Sequence, residues 1–114
     1  MKKDLEQRTK NFALAVIRFT APLPRTREAD VLCRQLLRSG TSIGANYREA
    51  NRGVSRADFA NKIGTVQKEA SETQYWIELL AESGIAAAAP AKELHNESSE
   101  LLAIFTSIGK KLKE

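Results

Sequence analysis

Apolar and small residues in this chain recur at alternating steps of four and three, which lays them along one face of an α-helix and does not fit the period of two that a half-buried strand needs. The clearest run is Phe59, Ile63, Val66, Ala70, Thr73, Ile77 and Leu80. Ser55, with Asp58 three residues later, gives that run a capping-box-like start, and Gly84 offers a left-handed stop. Leu94, Ser98, Leu101, Phe105, Ile108 and Leu112 repeat the rhythm after Pro90, whose fixed φ suits a first helical turn. Upstream, Leu32, Leu36, Ser39, Ile43, Tyr47 and Ala50 continue it. Leu5, Phe12, Val16 and Phe19 give a shorter version before Pro22 and Pro24 interrupt. The pattern predicts four helices, over about 4–20, 26–52, 55–83 and 91–113.

The links are short: a Pro-containing turn near 21–25, a turn at Arg52-Gly53-Val54, and an alanine-rich stretch from Ile85 to Ala89. Short links make successive helices antiparallel, and a period near 3.5 favours left-handed packing of knobs into holes. The expected fold is therefore all-α, an antiparallel up-down-up-down left-handed four-helix bundle. With 114 residues there is material for one core, so 1–114 reads as a single domain, with Phe12, Phe59, Ile77 and Phe105 filling that core. No stretch approaches the roughly 20 apolar residues of a membrane span. The charged start, Met1-Lys2-Lys3-Asp4, lacks the apolar run of a signal peptide, and the lone Cys33 cannot make an internal disulfide. A cytoplasmic location is expected.

Charge is distributed unevenly. Residues 1–56 hold twelve Lys or Arg against five Asp or Glu, a net of +7, whereas residues 57–114 carry a net of −3. Arginine predominates in the basic half, which suits bidentate contacts to phosphate or carboxylate. Arg25, Arg27, Arg34, Arg38, Arg48, Arg52 and Arg56 are the candidate residues for binding nucleic acid, either RNA or DNA. A solvated charged face, or pairing with acids of another helix or subunit, would account for the same residues without such a role. The cluster Lys110-Lys111-Leu112-Lys113 is explained by the dipole at a helix C-terminus, and is expected to matter less for binding than the arginines.

Beside the apolar stripe of the second helix runs a polar one, Ser39, Ser42, Asn46 and Glu49, which adjoins the core and needs hydrogen-bonding partners from a facing helix or another subunit. Glu72 joins these as a network candidate. Gly40 and Gly44, four residues apart inside a helix, each cost about 1 kcal/mol against alanine. They point to close approach by a neighbouring helix, another protomer or a ligand backbone. A homo-oligomer is the expectation drawn from these features.

Catalytic signatures are missing. The single histidine, His95, has neither a second histidine nor a thiol at metal-ligand spacing, and reads as a surface residue. Glu69 and Glu72 could hold a metal in a bundle core, but the Glu-x-x-His partner motif is absent. No Gly-rich phosphate loop follows a strand, and no cofactor or metal is implied. Tyr75 and Trp76 could stack on bases, though such residues more often anchor a helix interface.

The segment Gln35-Leu36-Leu37-Arg38-Ser39-Gly40-Thr41-Ser42-Ile43-Gly44-Ala45-Asn46-Tyr47-Arg48-Glu49-Ala50, followed by Arg52-Gly53-Val54-Ser55-Arg56-Ala57-Asp58-Phe59, resembles the bacterial four helix bundle protein family, also called the 23S rRNA intervening-sequence protein family. Gln35, Leu36, Arg38, Ser42, Ile43, Asn46, Glu49, Ser55, Asp58 and Phe59 match its pattern in place, and the region from Glu72 to Gly84 is also similar. Tyr47-Arg48-Glu49-Ala50 departs from it, since many relatives have Ile-Ala-Glu-Gly there. The resemblance implies antiparallel bundles assembled into homopentameric rings, with no activity established for members encoded within 23S rRNA genes. In a related branch, the accessory variability determinant of diversity-generating retroelements, it implies a basic pentameric barrel that binds nucleic acid and a reverse transcriptase. Two readings follow: a non-enzymatic oligomeric binding module with a basic surface engaging nucleic acid or an enzyme acting on it, and a purely structural homo-oligomer or scaffold.

Overall fold

Local signals place the helix boundaries in a computed structural model that describes residues 2–114, with side chains from Asp4 onward. Four helices follow one another: α1 (Lys2–Thr20), α2 (Arg27–Asn51), α3 (Arg56–Glu82) and α4 (Ala88–Lys113). The Thr26 hydroxyl caps α2 by accepting from the Ala29 N–H at 3.1 Å, and Ser55 caps α3 through the Asp58 N–H at 3.1 Å. Gly84 adopts φ +83°, the left-handed conformation that ends the α3 segment. One boundary departs from the sequence pattern: α4 begins at Ala88, three residues before the expected 91, with Ala87 as its N-cap. Alanine is the best helix former, and Pro90 falls in the first turn, where its missing N–H would have had no helical partner anyway. Ala88 and Ala89, the end of the alanine link, are thus absorbed into the helix.

Each helix packs against two neighbours in the cyclic order α1, α2, α3, α4, with no diagonal pairing. Paired residues run in opposite directions at every seam. Val16 lies at Gly40 and Thr9 at Gly44; Arg38 meets Glu72 and Lys62 meets Glu49; Glu78 meets His95, Gln74 meets Ser99 and Arg56 meets Leu112. Adjacent helices are therefore antiparallel, and the molecule is a rod with extents of 44 × 21 × 19 Å. One end, called here the lower end, gathers the start of α1, the α2–α3 turn and the end of α4. The upper end carries the α1–α2 and α3–α4 links.

The apolar stripes meet on the rod axis. Phe12, Val16, Leu36, Ile43, Ile63, Val66, Ile77, Leu80, Leu101 and Phe105 are fully or almost fully buried, and Tyr47 sets its ring edge-on to Phe105 at 5.2 Å. Phe59, expected in the core, is only half-buried because the first turn of α3 stands at the lower end, with fewer neighbours around it. Ser39 and Thr73 are completely buried, their hydroxyls 2.9 Å apart across the α2–α3 seam, with Thr73 also 2.7 Å from the Glu69 carbonyl. Among the described residues no helix is long and apolar enough to cross a membrane.

Gly40 and Gly44 have an occupant within the chain, and it is α1. A Cβ on Gly40 would stand 2.9 Å from Val16 Cγ2, and one on Gly44 would stand 3.2 Å from Thr9 Oγ1. Val16 is stiff at χ1 and buried, so it has nowhere to retreat. Of the three candidates for their close neighbour, a helix of the same chain is the one found, so the glycines carry no argument for a second subunit. Gly40→Ala is expected to lower the urea midpoint by the equivalent of about 1–3 kcal/mol despite its gain in helix propensity. Gly64→Ala, on the open face of α3 with nothing within 4 Å of the new methyl, should raise stability by up to about 1 kcal/mol. Equal shifts of both midpoints would remove the close-packing account. A second expectation concerns the buried hydroxyls: Thr73→Val leaves the Ser39 hydroxyl with only its long bond to the Leu36 carbonyl at 3.5 Å and should cost about 1–3 kcal/mol. Adding Ser39→Ala should return most of that loss in a double-mutant cycle, because both partners are then apolar.

Candidate functional site

The seven arginines singled out from the sequence do not share one surface. Arg25 and Arg27 lie at the upper end, where both are almost fully exposed, Arg25 3.7 Å from Asp30 and Arg27 3.3 Å from Glu28. Arg34 is exposed on α2 about two turns further down, with no ion pair among the described residues. Arg38 is committed to α3: it donates to Glu69 at 3.1 Å and to Glu72, whose carboxylate also accepts from Trp76 Nε1 at 3.2 Å. Arg48 and Arg52 lie at the lower end, 4.0 and 3.9 Å from Glu6. Arg56, beside them across the α2–α3 turn, donates to the Leu112 carbonyl at 3.2 Å. Treating the N-terminal half of the sequence as one basic surface is thus corrected: Arg25 and Arg27 stand at the opposite end of a 44 Å rod from Arg48, Arg52 and Arg56.

The bond from Arg56 to Leu112 has a consequence for charge. It places the end of α4 against the start of α3, so Lys110, Lys111 and Lys113 join Arg48, Arg52 and Arg56 at the lower end. From sequence those lysines have only a local explanation, the dipole at the end of their own helix. The missed signal was the topology itself, since three short links return α4 to the end where α3 begins. Among the described residues Arg56, Lys110, Lys111 and Lys113 make no ion pair with a carboxylate. Of the acids at this end, Glu49 takes Lys62 at 2.7 Å, and Glu6 accepts from Asn51 at 2.8 Å between Arg48 and Arg52. Asp4, Asp58 and Glu114 complete the set, so cations outnumber anions there.

The polar stripe of α2 also divides. Ser39 belongs to the buried hydroxyl pair described above. Ser42 donates back to the Arg38 carbonyl at 2.6 Å and Asn46 to the Ser42 carbonyl at 2.9 Å, so both satisfy themselves within the helix. Glu49 is exposed, contrary to its expected place beside the core, because its position turns past the α2–α3 seam into solvent. Glu97, by contrast, is half-buried. Arg8 grips it with Nε at 2.8 Å and Nη2 at 2.9 Å, and reaches Glu100 at 2.8 Å. These carboxylates, Glu97 first, hold the Arg8 guanidinium even further above its usual range. His95, read as a surface residue, is partly covered and lies 2.8 Å from Glu78. Burial, with a smaller effect from Asp30, pushes the Cys33 thiol up and makes it a poor nucleophile.

The α1–α4 seam is the most loosely packed of the four, and it is open on both sides of the Arg8 clamp. Above the clamp a groove of about 710 Å³ is floored by Phe12, Ala15, Phe19 and Leu94 and edged by Glu93, Glu97 and Glu100. Below it a second, of about 600 Å³, lies among Leu5, Tyr47, Ile104 and Ile108. Neither brings together a nucleophile with a base. Among the described residues no group of three or more His, Cys, Asp or Glu is arranged to hold a metal.

Comparison with known proteins follows this geometry. No curated protein matches the chain. A crystal structure of a protein of unknown function from the S23 ribosomal protein family of Bacteroides thetaiotaomicron is similar throughout: 39% identity, a TM-score of 0.88, and coverage of 96% of this chain and 99% of that one. Residues 1–107 match the family described as 23S rRNA-intervening sequence protein. With four antiparallel helices over its length and that match across nearly all of them, the chain belongs to the 23S rRNA-intervening sequence protein family.

Proposed function

We propose that this protein is a non-enzymatic binding module whose lower end engages nucleic acid. The observation that carries the reading is the convergence of Arg48, Arg52, Arg56, Lys110, Lys111 and Lys113, from three elements, on one end of the rod. Cations concentrated at one end neutralise successive phosphates and release condensed counterions, which gives affinity with little sequence selectivity. Arginine supplies bidentate contacts and lysine point charges. The upper-end arginines are excluded from this surface, as Arg38 is by its two carboxylates. The family description, which refers to an intervening sequence of 23S rRNA, is consistent with an RNA ligand.

Anisotropy titrations with structured RNA and duplex DNA at several salt concentrations test the reading. Log affinity is expected to fall with log salt by about 0.7–0.9 per phosphate contact. Reversing Arg52, Arg56, Lys110 and Lys113 to glutamate should weaken binding and flatten that slope, whereas reversing Arg25 and Arg27 should leave the slope unchanged. Absence of binding below about 10 μM at low salt, where non-specific binders ordinarily bind, would leave the basic end to protein contacts. An equal loss from the upper-end pair would show that the lower end is not the surface used.

A further inference from the structure

Tyr47 belongs to α2, yet it lines the lower groove between α1 and α4. Its side chain therefore crosses the core and presents its far end to that groove. The residue is only 4% exposed, and its ring is held edge-on to Phe105. Its hydroxyl makes no hydrogen bond among the described residues. The side-chain polar atom that is both sealed off and unpaired among those residues is Asn51 Oδ1, so the Tyr47 hydroxyl opens onto the groove. A buried tyrosine hydroxyl ordinarily has a partner, because stripping it of hydrogen bonds is costly. Here that partner has to come from the groove side.

The walls of the groove are apolar: Leu5 from α1, and Ala103, Ile104 and Ile108 from α4. Its volume of about 600 Å³ falls in the range of small-molecule sites, which are mostly apolar with a few placed polar groups. No charge inside it is free. Arg8 closes the upper end, where Glu97 and Glu100 already hold its guanidinium. Asp4 on α1 and Lys111, one turn beyond Ser107 on α4, are exposed at the mouth and offset one another. An ionised ligand would bury its charge against no uncommitted counter-charge, which is costly.

We propose that the lower α1–α4 groove is a binding site for a neutral, largely apolar small molecule that carries a carbonyl group. The apolar body lies over Leu5, Ile104 and Ile108, and the carbonyl oxygen accepts from the Tyr47 hydroxyl. A phenol, with a pKa of about 10, is a stronger donor than an aliphatic hydroxyl, which favours an acceptor on the ligand. The hydroxyl fixes the orientation of the ligand, and the walls supply most of its affinity. The inference does not rest on the nucleic-acid reading, whose cations take no part in holding a neutral molecule.

Nile red, a neutral dye with a ring carbonyl, is the probe, titrated with the full chain in the absence of nucleic acid and followed by its fluorescence. Saturable binding of one dye per chain is expected. Tyr47→Phe keeps the ring and removes only the hydroxyl. It should weaken binding by about 3–10-fold, the worth of one hydrogen bond, and move the bound dye's emission to shorter wavelength as the bond to its carbonyl is lost. The urea midpoint of the dye-free variant should be unchanged or higher. Ala103→Trp fills the groove from an exposed position and should abolish binding, whereas Asn11→Trp, exposed at the upper groove, should leave it intact. Ser107→Trp replaces Ala103→Trp if the latter loses helicity. Equal affinity of wild type and Tyr47→Phe would overturn the assignment. So would binding that survives filling of the groove, or no saturable binding because a second copy of the chain covers it.

Discussion

The close approach of α1 to α2 is the constraint from which much of this molecule follows. Gly40 and Gly44 remove the side chains that would hold Val16 and Thr9 away, so α1 is drawn against α2 along its length. The α1–α4 seam is the loose one, with open grooves above and below the point where Arg8 reaches across to Glu97 and Glu100. The ion pair spans a gap that packing leaves open. Two glycines, each unfavourable in a helix interior by about 1 kcal/mol, thereby let Val16 and Thr9 of α1 come directly against the backbone of α2.

Antiparallel packing also determines how the charges are shared. The basic first half of the sequence is not a basic half of the molecule, because α1 and α2 each lie against a helix of the acidic second half. Arg8 is neutralised by α4 and Arg38 by α3, across 89 and 34 residues of sequence in the bonds to Glu97 and Glu72. Those exposed or half-exposed pairs contribute about 1 kcal/mol or less each. Their larger effect is to withdraw specific arginines from solvent chemistry. Among the remaining cations, Arg25, Arg27 and Arg34 lie toward the upper end, and Arg48, Arg52 and Arg56 form a lower group that the end of α4 enlarges with three lysines.

Helix existence, buried faces and caps were legible from the residues alone. The α3 stripe from Ile63 to Leu80 is buried as its spacing requires, Ser55 caps α3, and Gly84 takes the positive φ. The errors are equally physical. Phe59 and Glu49 were read from helical phase alone, but phase does not say how far along the rod a residue sits or where a seam closes. The partner of Glu97 is illegible for the same reason, since nothing in its neighbourhood of sequence announces Arg8. The start of α4 was set by its proline, when alanine's propensity carried the helix three residues further back.

The sequence by itself determined four amphipathic helices, their order, their antiparallel sense and the family to which they belong, because periodicity, capping and link length act within a few residues of chain. Tertiary structure alone decided that α1 occupies the glycine notch, that Arg38 is spent on α3, and that the lysines ending α4 stand beside Arg56. Those outcomes depend on which faces meet at which height. Ion pairing and close packing are short-ranged in space but indifferent to separation along the chain, so they appear only once the helices are assembled.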